Sequence, residues 1–208
     1  MKKINKKNLI VLSSILVIGV ISVLSINISL SPKKEKVDVV KKDEEKKIDI
    51  VSPVISESTG VINKPFINED VKILKNYYDY QGTEEEQENS ITYYESTYMP
   101  NYAIVYGGPE TFEVTSILDG TVINIKEDSL LGNIVEIQHD NDIISVYQSV
   151  SDVTVEPNQI VKQGEVIAHS GTSNLNKDLK NHLSFELLYK NQIVNPEEYY
   201  NKDINELG

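Results

Sequence analysis

The feature that most restricts this chain is a run of 22 residues, Leu9 to Leu30, without one charged side chain. As a helix rising about 1.5 Å per residue it spans about 33 Å, enough for the hydrocarbon core of a bilayer. Ser13, Ser14, Ser22, Ser25 and Ser29 can return their hydroxyls to the helix backbone, and Asn27, the one strongly polar side chain, falls near the far interface. A cleaved secretory signal has a shorter apolar core and ends in a small-x-small site, whereas this run continues into Ser31 and Pro32 without an Ala-x-Ala pattern. The segment therefore reads as a retained transmembrane helix over residues 9–30. Lys2, Lys3, Lys6 and Lys7 hold residues 1–8 in the cytoplasm and place everything beyond residue 30 on the other side of the membrane.

What remains of the 208 residues is enough for one well-buried domain and a tether. Cysteine is absent and all 20 basic residues are Lys, which excludes a disulfide framework, a cysteine-based metal site and a thiol nucleophile. With four Lys in the membrane-proximal N-terminus, the other 16 stand against 32 acidic residues, a balance that repels phosphate backbones and excludes nucleic acid as a partner. Residues 31–65 are rich in Lys, Glu, Asp and Ser and are interrupted by Pro32, Pro53 and Pro65, so they read as a flexible charged tether.

Residues 66–100 are Tyr-rich, and the spacing of Val71, Leu74 and Tyr78 predicts one short amphipathic helix there. From residue 101 to about 200 the pattern is mainly β, with short segments of Val, Ile, Tyr and Thr separated by turn residues. Strands are expected at Thr111–Leu118, Thr121–Lys126, Asn133–His139, Ile143–Gln148, Val161–His169 and Leu183–Tyr189, with turns at Asp119-Gly120, Asp140-Asn141-Asp142, Glu156-Pro157-Asn158 and Lys190-Asn191. No long helix separates them, so the sheet should be antiparallel. Residues 201–208 read as a C-terminal tail.

Five short runs occur in order across this β region: Asp119-Gly120-Thr121-Val122, Gly132 to His139, Val161 to Ile167, His182-Leu183-Ser184-Phe185-Glu186-Leu187 and Val194-Asn195-Pro196. Together they resemble the M23 (LytM, lysostaphin-type) peptidase family, and the resemblance implies an antiparallel M23-like β domain. Asn89 to Asn101 and Ser145 to Val150 narrow it to a noncatalytic sporulation branch of that family, single-pass proteins of the forespore membrane in endospore-forming bacteria.

Active members hold zinc with the His and Asp of an H-x-x-x-D motif and the second His of an H-x-H motif, with two further histidines beside the metal-bound water. Carried over, the ligand positions are Asn101, Val105 and Ser184, and the catalytic-histidine positions are Ser149 and His182. Catalytic zinc requires three His, Asp, Glu or Cys ligands and an open water position. Val105 has no lone pair, and Asn101 and Ser184 supply neutral oxygens, so no metal and no cofactor are expected. His139 and His169 lie where the family has no ligand and read as structural residues. A Ser149–His182 nucleophile pair lacks a third group and a serine elbow.

The resemblance therefore implies a catalytically inactive binding module. It implies residence in the intermembrane space at the outer face of the forespore, with a mother-cell partner like stage III sporulation protein AH in an oligomeric ring or channel. An exposed edge strand near Lys162, Gln163 and the turn Glu156–Asn158 is the expected docking element. Two alternatives stand beside it: an active zinc-dependent peptidoglycan endopeptidase, and a noncatalytic peptidoglycan binder.

Overall fold

A computed structural model describes residues 60–207, so the segment 9–30 and most of the tether lie outside the described residues. The fold is mainly antiparallel β. Its strands are β1 (Lys72–Lys75), β2 (Ile91–Tyr94), β3 (Thr97–Pro100), β4 (Ile104–Gly107), β5 (Glu113–Thr115), β6 (Gly120–Asp128), β7 (Gly132–Gln138), β8 (Ile143–Ser151), β9 (Ile160–Val161), β10 (Val166–Ser170), β11 (His182–Tyr189) and β12 (Gln192–Val194). Ten of them form one sheet with the path β1-β4-β11-β8-β7-β6-β9; β12 pairs β11, and β10 pairs both β5 and β8. β2 and β3 form a separate two-stranded hairpin.

Local chemistry explains the central meander. At the β6–β7 turn the Asp128 Oδ1 accepts from the N–H groups of Leu130 and Leu131 at 2.8 and 2.9 Å, and Gly132 follows at φ +78°. Asn141 and Asp142 between β7 and β8, and Lys190 and Asn191 between β11 and β12, take the positive φ that tight hairpins require. The expected strand Val161–His169 is two strands, because Lys162 to Glu165 turn through Gly164 at φ +79°. One face of the sheet carries the core, in which Val122, Val135, Ile137, Tyr147, Leu183, Phe185 and Leu187 are inaccessible to solvent.

The helix expected around Val71, Leu74 and Tyr78 is not there. That segment forms β1, whose backbone is claimed by the edge of β4 (Ile73 opposite Tyr106, Lys75 opposite Val105), while Leu74 packs over Gly107 and leaves no room for a Cβ. The ladder outweighs the weak local preference for a helix. The one α-helix among the described residues, α1 (Glu84–Glu88), starts at a capping box: Glu86 N–H donates to Thr83 Oγ1 at 3.3 Å and Thr83 N–H donates to Glu86 Oε2 at 2.8 Å.

The folded unit also reaches beyond both expected ends. Ile62 is fully buried, its N–H donates to Lys202 O at 3.0 Å, and Val61 bridges to Asp203. Residues 60–65 thus belong to the domain rather than to the tether, and residues 201–204 are pinned to them rather than free. The sequence missed this because the short apolar pair Val61-Ile62, followed by Asn63, Lys64 and Pro65, carries no periodic signal.

Candidate functional site

Because side chains alternate across a strand, β11 divides its residues between two faces. Leu183, Phe185 and Leu187 enter the core, and His182, Ser184 and Glu186 point to the opposite side. On β4, Ile104 and Tyr106 face the core with Val105 opposite to them; on β8, Tyr147 faces the core and Gln148 the other way. The register sets Lys75, Val105, Ser184 and Gln148 side by side across four neighbouring strands, with His182 next along β11 opposite Gly107. The structure therefore brings Val105, Ser184 and His182 together.

Asn101 lies just before β4 and its amide is engaged in backbone contacts, donating to Asn76 O at 2.8 Å and Ala103 O at 2.5 Å. Ser149 makes no hydrogen bond to His182, whose two ring nitrogens are taken by Lys180 O and Ser173 Oγ. It sits at φ +63°, a kink that interrupts the alternation of β8, and its hydroxyl donates to Leu131 O at 3.1 Å. No Ser149–His182 nucleophile pair forms.

His182 is fully buried. Its Nδ1 lies 2.7 Å from Lys180 O, so the ring N–H is donated there, and Nε2 accepts from the Ser173 hydroxyl at 3.1 Å. Burial holds its pKa below the ordinary value; the Lys180 carbonyl opposes that and the nearby Lys75 charge reinforces it. Lys75 Nζ donates to Thr92 Oγ1 at 2.8 Å and to Asn176 Oδ1 at 2.9 Å, and Asn176 N–H in turn donates to Ser173 Oγ at 3.4 Å. One polar chain therefore runs from the β2–β3 hairpin through Lys75, Asn176 and Ser173 to His182. Thr92, Ser173, Asn176, Val105 and Ser184 are all buried. Two open hollows nearby, lined by residues such as Gly132, Thr172 and Glu127, do not include Val105, His182 or Ser184 in their walls.

This donor set does not fit zinc. Val105 is a hydrocarbon, Asn101 and Ser184 supply only neutral oxygens, and the charge of the protein's own Lys75 already acts on His182. Among the described residues no group of three or more His, Asp or Glu side chains could hold a metal ion. The other two histidines are elsewhere: His139 at the end of β7 donates from Nδ1 to Asp119 O and accepts at Nε2 from the Ser145 hydroxyl, and His169 lies in β10 with a buried Nδ1 that has no partner among the described residues. Sequence reasoning missed Lys75, Thr92, Ser173 and Asn176. Only the polar run Gly171 to Asn176 marks that loop, and it reads as an ordinary turn.

Residues 99–196 match the model of peptidase family M23. A chain in the solved SpoIIQ–SpoIIIAH pore-forming complex is 31% identical with a TM-score of 0.67, the match covering 71% of this chain and 98% of that one. The chain belongs to the M23 family. A second structure of a SpoIIIAH and SpoIIQ complex matches at 33% identity and a TM-score of 0.64, over 66% of this chain and 99% of that one. Stage II sporulation protein Q of Bacillus subtilis (strain 168) is 32% identical over 156 residues, which is 74% of this chain and 55% of that protein, so the match spans about half the length of this curated relative. A zinc-containing peptidase from Vibrio cholerae, 22% identical with a TM-score of 0.53 over 65% of this chain and 39% of its own, shares the M23 fold. The motif-based resemblance to the sporulation branch of M23 is thereby borne out, as is the antiparallel M23-like fold. Among the described residues no helix is long and apolar enough to cross a membrane, and the expected anchor at 9–30 lies outside them.

Proposed function

We propose that this chain is a noncatalytic M23 protein that acts in sporulation as a protein-binding module on a membrane anchor. Its partner on this reading is a SpoIIIAH-like protein of the mother-cell membrane, met in the space between the two membranes. The observation that carries the proposal is the 31–33% identity over nearly the full length of chains solved in SpoIIQ–SpoIIIAH complexes. The donor chemistry supports the noncatalytic half: Asn101, Val105 and Ser184 stand at the family's ligand positions, and without a metal-held hydroxide or Lewis acid the scissile carbonyl has no activator. No zinc or other cofactor is required by this function. His182 and Ser149 are vestigial, the first a buried structural residue and the second a backbone-bonded one.

The sheet offers one plain docking element. β9 covers β6 only at Gly120 and Thr121, and beyond Val122 the outer side of β6 has no neighbouring strand among the described residues. Ile123, 47% exposed, stands at the start of that open edge, close to the turn Glu156–Asn158. A partner strand added there would extend the sheet, and rings follow where such head-to-tail contacts close. The test is capture of a SpoIIIAH-like ectodomain by the full chain. Association at micromolar concentration is expected, with at least tenfold weakening by Ile123→Lys, a charge of the kind that blocks edge pairing. Absence of measurable association with the unmodified chain removes the proposal.

A further inference from the structure

The Lys75 side chain is unusual in its company. It is half-buried, it has no carboxylate within ion-pair distance among the described residues, and both of its hydrogen-bond partners are neutral oxygens. A cation held in this way loses part of its hydration without an opposite charge in return. Those contacts come from chain segments far apart in sequence: Thr92 of the β2–β3 hairpin is 17 residues away and Asn176 is 101 residues away.

We infer that Lys75 is a built-in cation that closes the old cleft, its ammonium clamping the β2–β3 hairpin to the 173–176 loop beside His182. The placement supports it from the backbone outward. Lys75 lies opposite Val105 on β4, and Val105 lies opposite Ser184 on β11, so the ammonium stem starts from the row that carries the family's ligand positions. The hairpin has little else to hold it down. It forms its own two-stranded sheet, its tip turns through Glu95 and Ser96 at φ +45° and +66° without a glycine, and Tyr93 and Tyr98 pair with each other at 4.8 Å on its exposed face. Its other bonds sit at its base, where Tyr78 N–H donates to Asn101 O at 2.7 Å, the Asn101 amide donates to Asn76 O at 2.8 Å and the Ser90 hydroxyl donates to Glu86 O at 2.8 Å, so Lys75 to Thr92 is the bond that reaches into the hairpin strands. Removal of the ammonium leaves the buried Thr92 hydroxyl and Asn176 carbonyl without their donor and should let hairpin and loop open together.

Hydrogen exchange on the full chain tests this. Lys75→Met should speed exchange at least tenfold in the amides of Ile91 to Met99 and of Tyr78, Asn101 and Asn176, with β6, β7 and β8 unchanged. Thr92→Val, which removes one acceptor and keeps the shape, should raise exchange in the hairpin and leave the 173–176 loop protected. If Lys75→Met speeds exchange uniformly, including β6 to β8, that variant has lost its fold and Thr92→Val alone decides. Unchanged hairpin exchange in Thr92→Val together with unchanged or uniformly raised exchange in Lys75→Met overturns the inference.

Discussion

His139 makes acid the sharpest perturbation of this domain. The ring is 4% exposed, and burial pushes its pKa down to about 4, against the opposing pull of the Asp119 carbonyl and the charges of Asp140 and Asp119. Its Nδ1 lies 2.9 Å from a carbonyl that can only accept, so Nδ1 carries the proton and Nε2 takes the hydrogen of Ser145 Oγ at 2.7 Å. The folded state therefore binds the neutral ring, while in the unfolded chain the same group titrates near 6.5. Between those two values the unfolded chain holds a proton that the folded one does not, so stability present above pH 6.5 is lost as the pH falls toward 4. With a folded value of about 4, the loss is about 2 kcal/mol by pH 5 and about 3 kcal/mol by pH 4. Denaturant unfolding of the full chain at pH 7, 6, 5 and 4, beside a His139→Gln variant that cannot titrate, isolates this term from the carboxylates. The difference in slope between the two proteins should lie between pH 6.5 and 4. Parallel pH profiles, or an NMR titration of His139 near pH 6.5 in the folded protein, would refute the reasoning.

Two further outcomes are expected. Restoring the family's ligands with Asn101→His, Val105→Asp and Ser184→His should leave zinc binding weak while Lys75 is present, and adding Lys75→Met should tighten it at least tenfold in a chelator competition, since a fixed positive charge beside the site opposes a second cation; equal affinity in both backgrounds would show that Lys75 lies too far away to matter. Tyr147→Phe should cost about 1–3 kcal/mol by denaturant unfolding, because the buried Tyr147 oxygen accepts from the Ile117 N–H at 3.1 Å and the variant leaves that donor unsatisfied.

Much of the β region was legible in the sequence because its signals are local. The alternation in Gly132–Gln138 and Ile143–Ser151 and the turn residues around Asn141 and Asn191 act within a few residues of one another, and strands and turns fall close to where they are expected. That Val105 offers no lone pair and Ser184 only a neutral hydroxyl is likewise a property of the side chains themselves. The β2–β3 hairpin was not, because Glu95 and Ser96 occupy positive φ in a turn where glycine or asparagine would have announced it.

Tertiary structure alone decided three things. It made residues 72–75 a strand, because the unpaired edge of β4 offered backbone partners that a short helix could not match. It drew Ile62 into the core and bridged Val61 to Asp203, joining the two ends of the domain across its whole length. It brought Lys75 to Thr92 and Asn176 beside His182, contacts between segments up to 101 residues apart. Such contacts depend on sheet order and register, and no window of sequence contains both partners.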